Sequence, residues 1–203
     1  NGLIGNGFRL SYGDAHWSYA LRGSYRVAKN YSNRIDGRVY NTGFREANAS
    51  GLVAYTSKHG YSNLNLTLYN NLQGIPDGSR DSLTRKFTKQ IYEGNIDDIK
   101  NRPLVSDAEL NSYQLSPLHQ HIQHYRIYSN NHYEIGKGDI DFLLAFQQNI
   151  RREYDHPTAP QQAGMFVRLN TLNYGFRYNA PQIFNTEISA GVNGMYQNNL
   201  NKN

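Results

Sequence analysis

Residues 16–28 alternate without a break. Trp17, Tyr19, Leu21, Gly23, Tyr25 and Val27 share one parity, and His16, Ser18, Ala20, Arg22, Ser24, Arg26 and Ala28 share the other. A period of two puts successive side chains on opposite faces of an extended chain, a pattern that no helix presents as one face. The run is also about twice as long as the usual soluble strand of ~5–6 residues. The same alternation returns downstream. Leu64, Leu66 and Leu68 alternate with Asn63, Asn65, Thr67 and Tyr69. Tyr125, Ile127, Tyr133 and Ile135 oppose His124, Arg126, Tyr128, Asn130, His132 and Glu134. Ile140, Phe142, Leu144, Phe146 and Ile150 oppose Asp141, Gln147, Asn149 and Arg151, and Ile188, Ala190, Val192, Gly194 and Tyr196 oppose Glu187, Ser189, Asn193 and Gln197. A short opening strand over 3–12 carries Phe8, Leu10 and Tyr12, and 43–57 offers a small-residue face of Ala47, Ala49, Gly51, Val53 and Tyr55. In 163–179 the apolar parity switches after Leu169, which predicts a β-bulge near Asn170–Thr171. The pattern thus predicts an all-β chain of eight strands.

The connections fall at 13–15, 30–42, 57–60, 74–119, 136–138, 154–162 and 180–183, short and long in turn. Gly13-Asp14, Lys58-His59-Gly60, Gly136-Lys137-Gly138 and Ala180-Pro181-Gln182 have tight-turn composition. A loop such as 74–119 is out of place in a compact soluble domain, whereas short turns on one side and long loops on the other suit an outer-membrane barrel. Aromatics flank each short turn. Tyr12, Trp17, Tyr55, Tyr133, Phe142, Tyr178 and Phe184 keep the apolar parity, as a membrane-interface girdle would, while Tyr61 is off phase.

Composition narrows the classes further. The chain has 203 residues and no Cys, which removes a disulfide scaffold, a thiolate metal site and a cysteine nucleophile. A mean hydropathy of −0.75 and the lack of any long apolar run exclude a membrane-spanning helix. They do not conflict with a barrel, in which only one face of each strand meets lipid. Aromatics at 13% argue against disorder. The net charge of +5 is scattered among acids, so it does not point to nucleic acid as a partner. The chain opens at Asn1 without Met or a leader-like segment and stops at Asn-Lys-Asn, and it is expected to be a mature or excised piece.

Four stretches add a resemblance. Asp36-Gly37-Arg38-Val39-Tyr40-Asn41-Thr42-Gly43-Phe44-Arg45-Glu46 and Gly74-Ile75-Pro76-Asp77-Gly78-Ser79-Arg80-Asp81-Ser82 resemble loop segments of TonB-dependent outer-membrane receptors of the Bacteroidetes type. So do Leu115-Ser116-Pro117-Leu118-His119-Gln120-His121-Ile122-Gln123-His124-Tyr125, and Gln147 to Glu153 with His156 to Gln162. The resemblance runs over nearly the whole chain, but through segments of subfamily character rather than a mechanistic motif. It implies an antiparallel transmembrane β-barrel of about 22 strands enclosing a plug, with residues 1–203 supplying about eight consecutive strands of that one barrel domain and no plug. The implied activity is not enzymatic. It is ligand-gated import of a scarce nutrient, an iron–siderophore or similar complex, across the bacterial outer membrane. The implied partners are the TonB complex of the inner membrane, reached through the plug, outer-membrane lipid or lipopolysaccharide, a small nutrient ligand and a surface lipoprotein. No cofactor is implied. Two other classes fit parts of the pattern: a stand-alone small outer-membrane barrel in adhesion or structure, and a soluble β-sandwich that binds glycans.

The candidate site residues follow from the two faces and the long loop. Arg22, Arg26, Arg126 and Arg151 lie on the polar parity and would line an anion-attracting lumen; pairing with carboxylates such as Glu134 or Asp141 is the plainer alternative. Arg80, Asp81, Tyr92 and Tyr113 lie in the 73–120 segment, whose balanced charge suits a polar ligand. That segment and the loops 30–42 and 154–162 are expected to face the cell exterior. His119, His121 and His124 cannot share one face of a strand, so they form a poor metal site. Asp77, Ser79 and Asp81 lack the bidentate Glu of a calcium loop. Glu153, Asp155 and His156 lack a nucleophile.

Overall fold

The computed structural model describes residues 2–182 and 184–202. The strands are β1 (Ile4–Gly13), β2 (Trp17–Ala28), two short pieces β3 (Ser32–Asn33) and β4 (Gly37–Arg38), then β5 (Phe44–Ser57), β6 (Gly60–Gly74), β7 (His119–Ile135), β8 (Gly138–Tyr154), β9 (Met165–Asn179) and β10 (Ser189–Lys202). All but β3 and β4 form one antiparallel meander in the order β1-β2-β5-β6-β7-β8-β9-β10. β3 and β4 pair only with each other, within the loop between β2 and β5. Among the described residues β1 and β10 do not pair with each other, so the sheet is open there.

Every ladder keeps its register from end to end, and this converts eight alternating strands into two continuous faces. One row runs Leu10, Leu21, Gly51, Leu66, Ile127, Phe146, Leu172, Tyr196 across all eight strands. The row next to it on the opposite face runs Arg9, Arg22, Ser50, Thr67, Arg126, Gln147, Thr171, Gln197. Among the described residues no second layer covers the apolar face. Leu66 and Phe146 stay 44% and 41% exposed at the centre of the sheet, where a sandwich would bury them.

The alternation predicts the strands but errs at three places. No bulge interrupts β9: its pairing with both β8 and β10 is unbroken through Asn170 and Thr171. The apolar parity changes there for a chemical reason instead. Met165, Val167 and Leu169 lie on the polar-facing side of the far end of the strand, while Leu172, Tyr174, Phe176 and Tyr178 keep the apolar face. The last connection is longer than a tight turn and covers 180–188, with Ala180 N–H donating to Ile188 C=O at 2.9 Å or less (2.8 Å). Its Ile183, at the end of the expected 180–183 turn, lies outside the described residues. Phe184 and Asn185 have φ of 50° and 62°, which a strand cannot accommodate. Phe184 is therefore in this turn, 98% exposed, and not on the apolar face of a strand as its parity predicts. The third difference is the long loop, which is built rather than structureless.

At the other turns local chemistry decides. Asp14 closes the first by accepting from His16 N–H at 2.8 Å and Trp17 N–H at 2.7 Å. Gly60 follows Lys58-His59 with φ of 143°, and a Cβ there would lie 2.0 Å from His132 C=O, so only glycine fits.

The hydrophobic core is small and lies off the sheet. Val39, Phe87 and Val105 are buried against one another, with Tyr40 and Leu110 packed around them. They belong to the loops 29–43 and 75–118, which form a cap at one end of the meander. The cap includes two single 3-10 turns, Gly94–Ile96 and Ile99–Asn101, and the one-turn helix α1 (Asp107–Leu110). Ser106 and Glu109 form a reciprocal capping box around α1.

Candidate functional site

The sheet and the cap present different chemistry to a ligand. On the polar face the arginines divide into two kinds. Arg26 pairs with Glu46 at 2.7 Å, Arg151 with Glu153 at 3.4 Å and Arg177 with Asp141 at 2.6 Å. Arg22 stands directly opposite Arg9 and makes no ion pair among the described residues, and Arg126 lies over the Tyr128 ring at 4.5 Å. Like charges opposed on neighbouring strands repel, so Arg9, Arg22 and Arg126 leave an uncompensated basic zone in one register row. The sequence candidates Arg22 and Arg126 are thus available to an anion, whereas Arg26 and Arg151 are taken up by carboxylates on or beside their own strands.

Towards the short-turn end the polar face carries His132, Asp139 and Asp141, whose ligand atoms lie within 4.8 Å of one another. His132 Nδ1 is 2.9 Å from Asp141 Oδ1, and Arg177 Nε and Nη2 both donate to Asp141 Oδ2. Asn179 Nδ2 donates to Asp139 Oδ1 at 2.5 Å, and Tyr61 stacks on His132. The guanidinium already supplies the positive charge, so the group is a satisfied ion network. It also explains why Tyr61 is out of phase with the other aromatics beside the short turns: the ring belongs to the polar face.

His119 and His121 share the apolar-face parity and His124 the other, and they have separate partners. His119 Nδ1 sits by Pro117 C=O at 2.8 Å, His121 Nε2 by Asn70 Oδ1 at 2.6 Å, and His124 Nδ1 by Asn149 Nδ2 at 3.4 Å.

The cap is organised by buried polar anchors. Asn30 Oδ1 accepts from Thr42 N–H at 2.8 Å and Gly43 N–H at 3.2 Å, and its Nδ2 donates to Leu110 C=O at 3.1 Å. Asn41, with φ of 57°, donates to both Ile75 C=O and Leu118 C=O at 2.8 and 2.7 Å. It thereby holds the two ends of the long loop together. A Cβ on Gly74 would fall 2.2 Å from Asn41 Oδ1, so this junction admits no side chain. Arg102 donates to Asp97, Asp77 and Ser79, which places it at the hub of the loop, and the Arg102 guanidinium holds Asp97 below the usual carboxylate range.

The loop candidates from the sequence do not converge. Arg80 pairs with Asp36 at 2.7 Å and lies 3.8 Å over the Phe87 ring, so it ties the two loops together. Asp81 caps a turn through Thr84 N–H and Oγ1, and these bonds lower its pKa. Asp77 is spent on Arg102 and Ser79 N–H, so Asp77, Ser79 and Asp81 form no oxygen cage. Tyr92 is exposed, and Tyr113 donates to Gly2 C=O at 2.8 Å with Lys29 over its ring.

One hollow in the cap was not predicted from the sequence. Tyr40, Lys89, Glu109, Gln114, Ser116 and Pro157 line a cavity of about 320 Å³ in the cap. Lys89 and Glu109 form an ion pair in its wall. Burial pushes the Tyr40 phenol up, partly offset by its hydrogen bond with Ser116. The one sequence signal for this wall is Ser106-x-x-Glu109, a capping box that fixes Glu109. A second loop closes beside it. Glu93 accepts from Thr158 N–H at 3.2 Å and from Thr158 Oγ1, and its Oε2 lies 3.0 Å from His156 Nδ1. The Thr158 and His156 bonds hold Glu93 below its ordinary value, and Glu93 raises His156. Asp155 adds to this from 3.5 Å, so Asp155 and His156 join an inter-loop clasp centred on Glu93, while Glu153 pairs with Arg151 instead.

Fold and geometry define an antiparallel β-meander with one uncovered apolar face, one polar face and a structured loop cap. No protein-family model matches the chain, and no curated protein matches its sequence.

Proposed function

We propose that this chain is a section of wall, with its outer loops, from a transmembrane β-barrel importer of the TonB-dependent kind. The observation that carries the reading is the unbroken apolar row from Leu10 to Tyr196, exposed across eight strands and backed by a row of Arg, Thr, Ser and Gln. A sheet in hydrocarbon must pair all its backbone groups, so β1 and β10 are closed by further strands of a larger barrel. Tyr12, Trp17, Tyr55, Tyr133, Phe142 and Tyr178 form the interface girdle at the short-turn end, in the periplasmic leaflet. The cap lies outside the cell, and its cavity and the basic row of the lumen bind a polar nutrient complex such as an iron–siderophore. The resemblance of the loop segments to TonB-dependent receptors supports import over adhesion, and the uncovered apolar face supports a bilayer over a soluble sandwich.

Replacing 78–112 with a short Gly/Ser linker tests the functional part in the whole protein. The barrel is expected to insert and to remain heat-modifiable, while binding and uptake of the iron-loaded siderophore fall at least tenfold, a loss of about 1.4 kcal/mol. Unchanged uptake at normal surface levels would reduce the cap to a shield over the barrel mouth.

A further inference from the structure

One wall of the cap cavity is hung differently from the rest. Its other walls come from 30–43 and 89–117, and these are cross-tied. Asn30 joins Thr42, Gly43 and Leu110, and Lys89 pairs with Glu109. Pro157 is the one lining residue, among those described, that comes from the connection between β8 and β9. That connection, 155–164, meets the long loop through a single side chain. Glu93 accepts from Thr158 N–H at 3.2 Å and from Thr158 Oγ1, and its Oε2 is 3.0 Å from His156 Nδ1. Among the described residues no other hydrogen bond or ion pair joins 155–164 to 75–118.

Glu93 thus grips the residues on both sides of Pro157, and the carboxylate sets where the ring sits against the cavity. The strap is stiff, because Pro157 fixes its own φ and biases His156 to an extended backbone. It is also folded on its own account. Ala159 N–H donates to His156 C=O at 3.2 Å and Gln162 N–H to Ala159 C=O at 2.9 Å. At the neck Gly164 N–H donates to Glu153 C=O at 3.0 Å, and a Cβ on Gly164 would lie 2.0 Å from Asp155 Oδ1. None of these bonds uses Glu93. A loop that keeps its own turns and neck can leave the cavity as a unit when that one grip fails.

The grip depends on charge through a count of protons. The charged groups that face His156 are Glu93 from the long loop and Asp155 from its own loop, the latter 3.5 Å from Nε2. A charged imidazole has an N–H for each carboxylate, whereas a neutral one has a single N–H and turns a lone pair to the other. Deprotonation therefore sets one carboxylate against the ring and removes the charge assistance from the bond that remains.

We infer that 155–164 is a lid on the cap cavity, latched by Glu93 and released when His156 loses its proton. The lid controls access to the cavity that the import reading uses, and it rests on that reading for its role in binding. It is shut in mildly acidic medium and opens as the medium turns alkaline. Glu93, and then Asp155, hold His156 protonated above the ordinary histidine value of 6.5, so release falls on the alkaline side of that value.

The test reads access directly and needs no ligand. These 203 residues hold no Cys, so one thiol is placed in the cavity wall as Ser112→Cys, with Ser82→Cys on an exposed turn as the reference. Both are made in the full-length protein freed of any other cysteine and treated with biotin-maleimide. The rate at the wall divided by the rate at the reference is expected to rise about tenfold from pH 6 to pH 9, a weakening of the latch by about 1.4 kcal/mol. Glu93→Ala is expected to give the high ratio at both pH values, and His156→Gln to remove the rise. A flat ratio in the parent overturns the lid, as does the same rise in His156→Gln or a low ratio at pH 6 in Glu93→Ala. Protection of the Val105 amide, which donates to Phe87 C=O in the cap core, shows in each variant that the cap is folded. Failure of the lid leaves the import reading standing, because no ligand enters the assay. That reading falls instead with unchanged uptake in the 78–112 replacement, whatever the thiols show.

Discussion

The sheet and the cap reach order by opposite means. Eight strands over most of the chain bury almost no hydrophobic side chain apart from Ala28 and Ala145, while the loops hold the cluster of Val39, Phe87 and Val105. The sheet is held by backbone ladders in fixed register and presents its Leu, Ile, Phe and Tyr outward. The cap has few ladders and relies on a compact core, buried Asn anchors and ion pairs such as Arg80–Asp36 and Arg102–Asp77. The difference teaches where each part finds its apolar partner: the cap within itself, the sheet outside itself. It also separates their fates under mutation.

The largest expected effect is in the cap. Phe87→Ala empties the centre of its core, where such truncations cost about 3–5 kcal/mol. Amide exchange should rise through 36–42 and 78–112 while β5 to β8 stay protected. Loss of protection in those strands would show that cap and sheet unfold together and would break the comparison. Next comes Leu66→Arg, between Gly51 and Ile127 on the apolar face. If that face meets lipid it costs about 2–4 kcal/mol near the midplane, whereas Asn65→Arg on the polar face costs far less. Equal shifts in folding titrations into vesicles would mean that no bilayer covers the apolar face.

Asn41→Ala removes two buried hydrogen bonds, so Ile75 C=O loses its Asn41 partner and Leu118 C=O keeps only Ile75 N–H at 3.3 Å, a cost of about 1–3 kcal/mol. It should free the ends of the long loop, seen as faster proteolysis near Gly74–Ile75, without raising amide exchange in β5 to β8. An unaltered cleavage rate would move the anchor to Asn30. The smallest effect is on pH. His156 is raised, so its contribution is complete below the ordinary histidine value of 6.5 and is lost as pH rises through the raised value. Glu93 is lowered, so its contribution is complete above the ordinary glutamate value of 4.5 and is lost as pH falls through the lowered one. The clasp between 75–118 and 155–164 is therefore tightest between pH 4.5 and 6.5. Amide exchange at Thr158, corrected for intrinsic rates, should quicken at pH 9 in the parent protein, and His156→Gln should remove that dependence. The same pH response in His156→Gln would place the titrating group elsewhere.

Sequence by itself determined the sheet. Strict alternation over strands of ten to seventeen residues leaves one register in which all apolar side chains share a face, because a slip of one residue moves the whole set across. The opposed parities of His121 and His124, and the off-phase Tyr61, were legible for the same reason. Where alternation met another cause it misled: the parity change at Leu169 looked like a bulge, and Pro181 hid a nine-residue turn that removes Phe184 from its strand. The cap was decided only in three dimensions. Val39, Phe87 and Val105 come from loops with no periodicity, and Asn30 and Asn41 act on residues up to 80 positions away. Glu93 and His156 meet across 63 positions. A period is a property of neighbours along the chain and survives in the sequence, whereas a buried amide or an ion pair between loops depends on how the chain returns to itself.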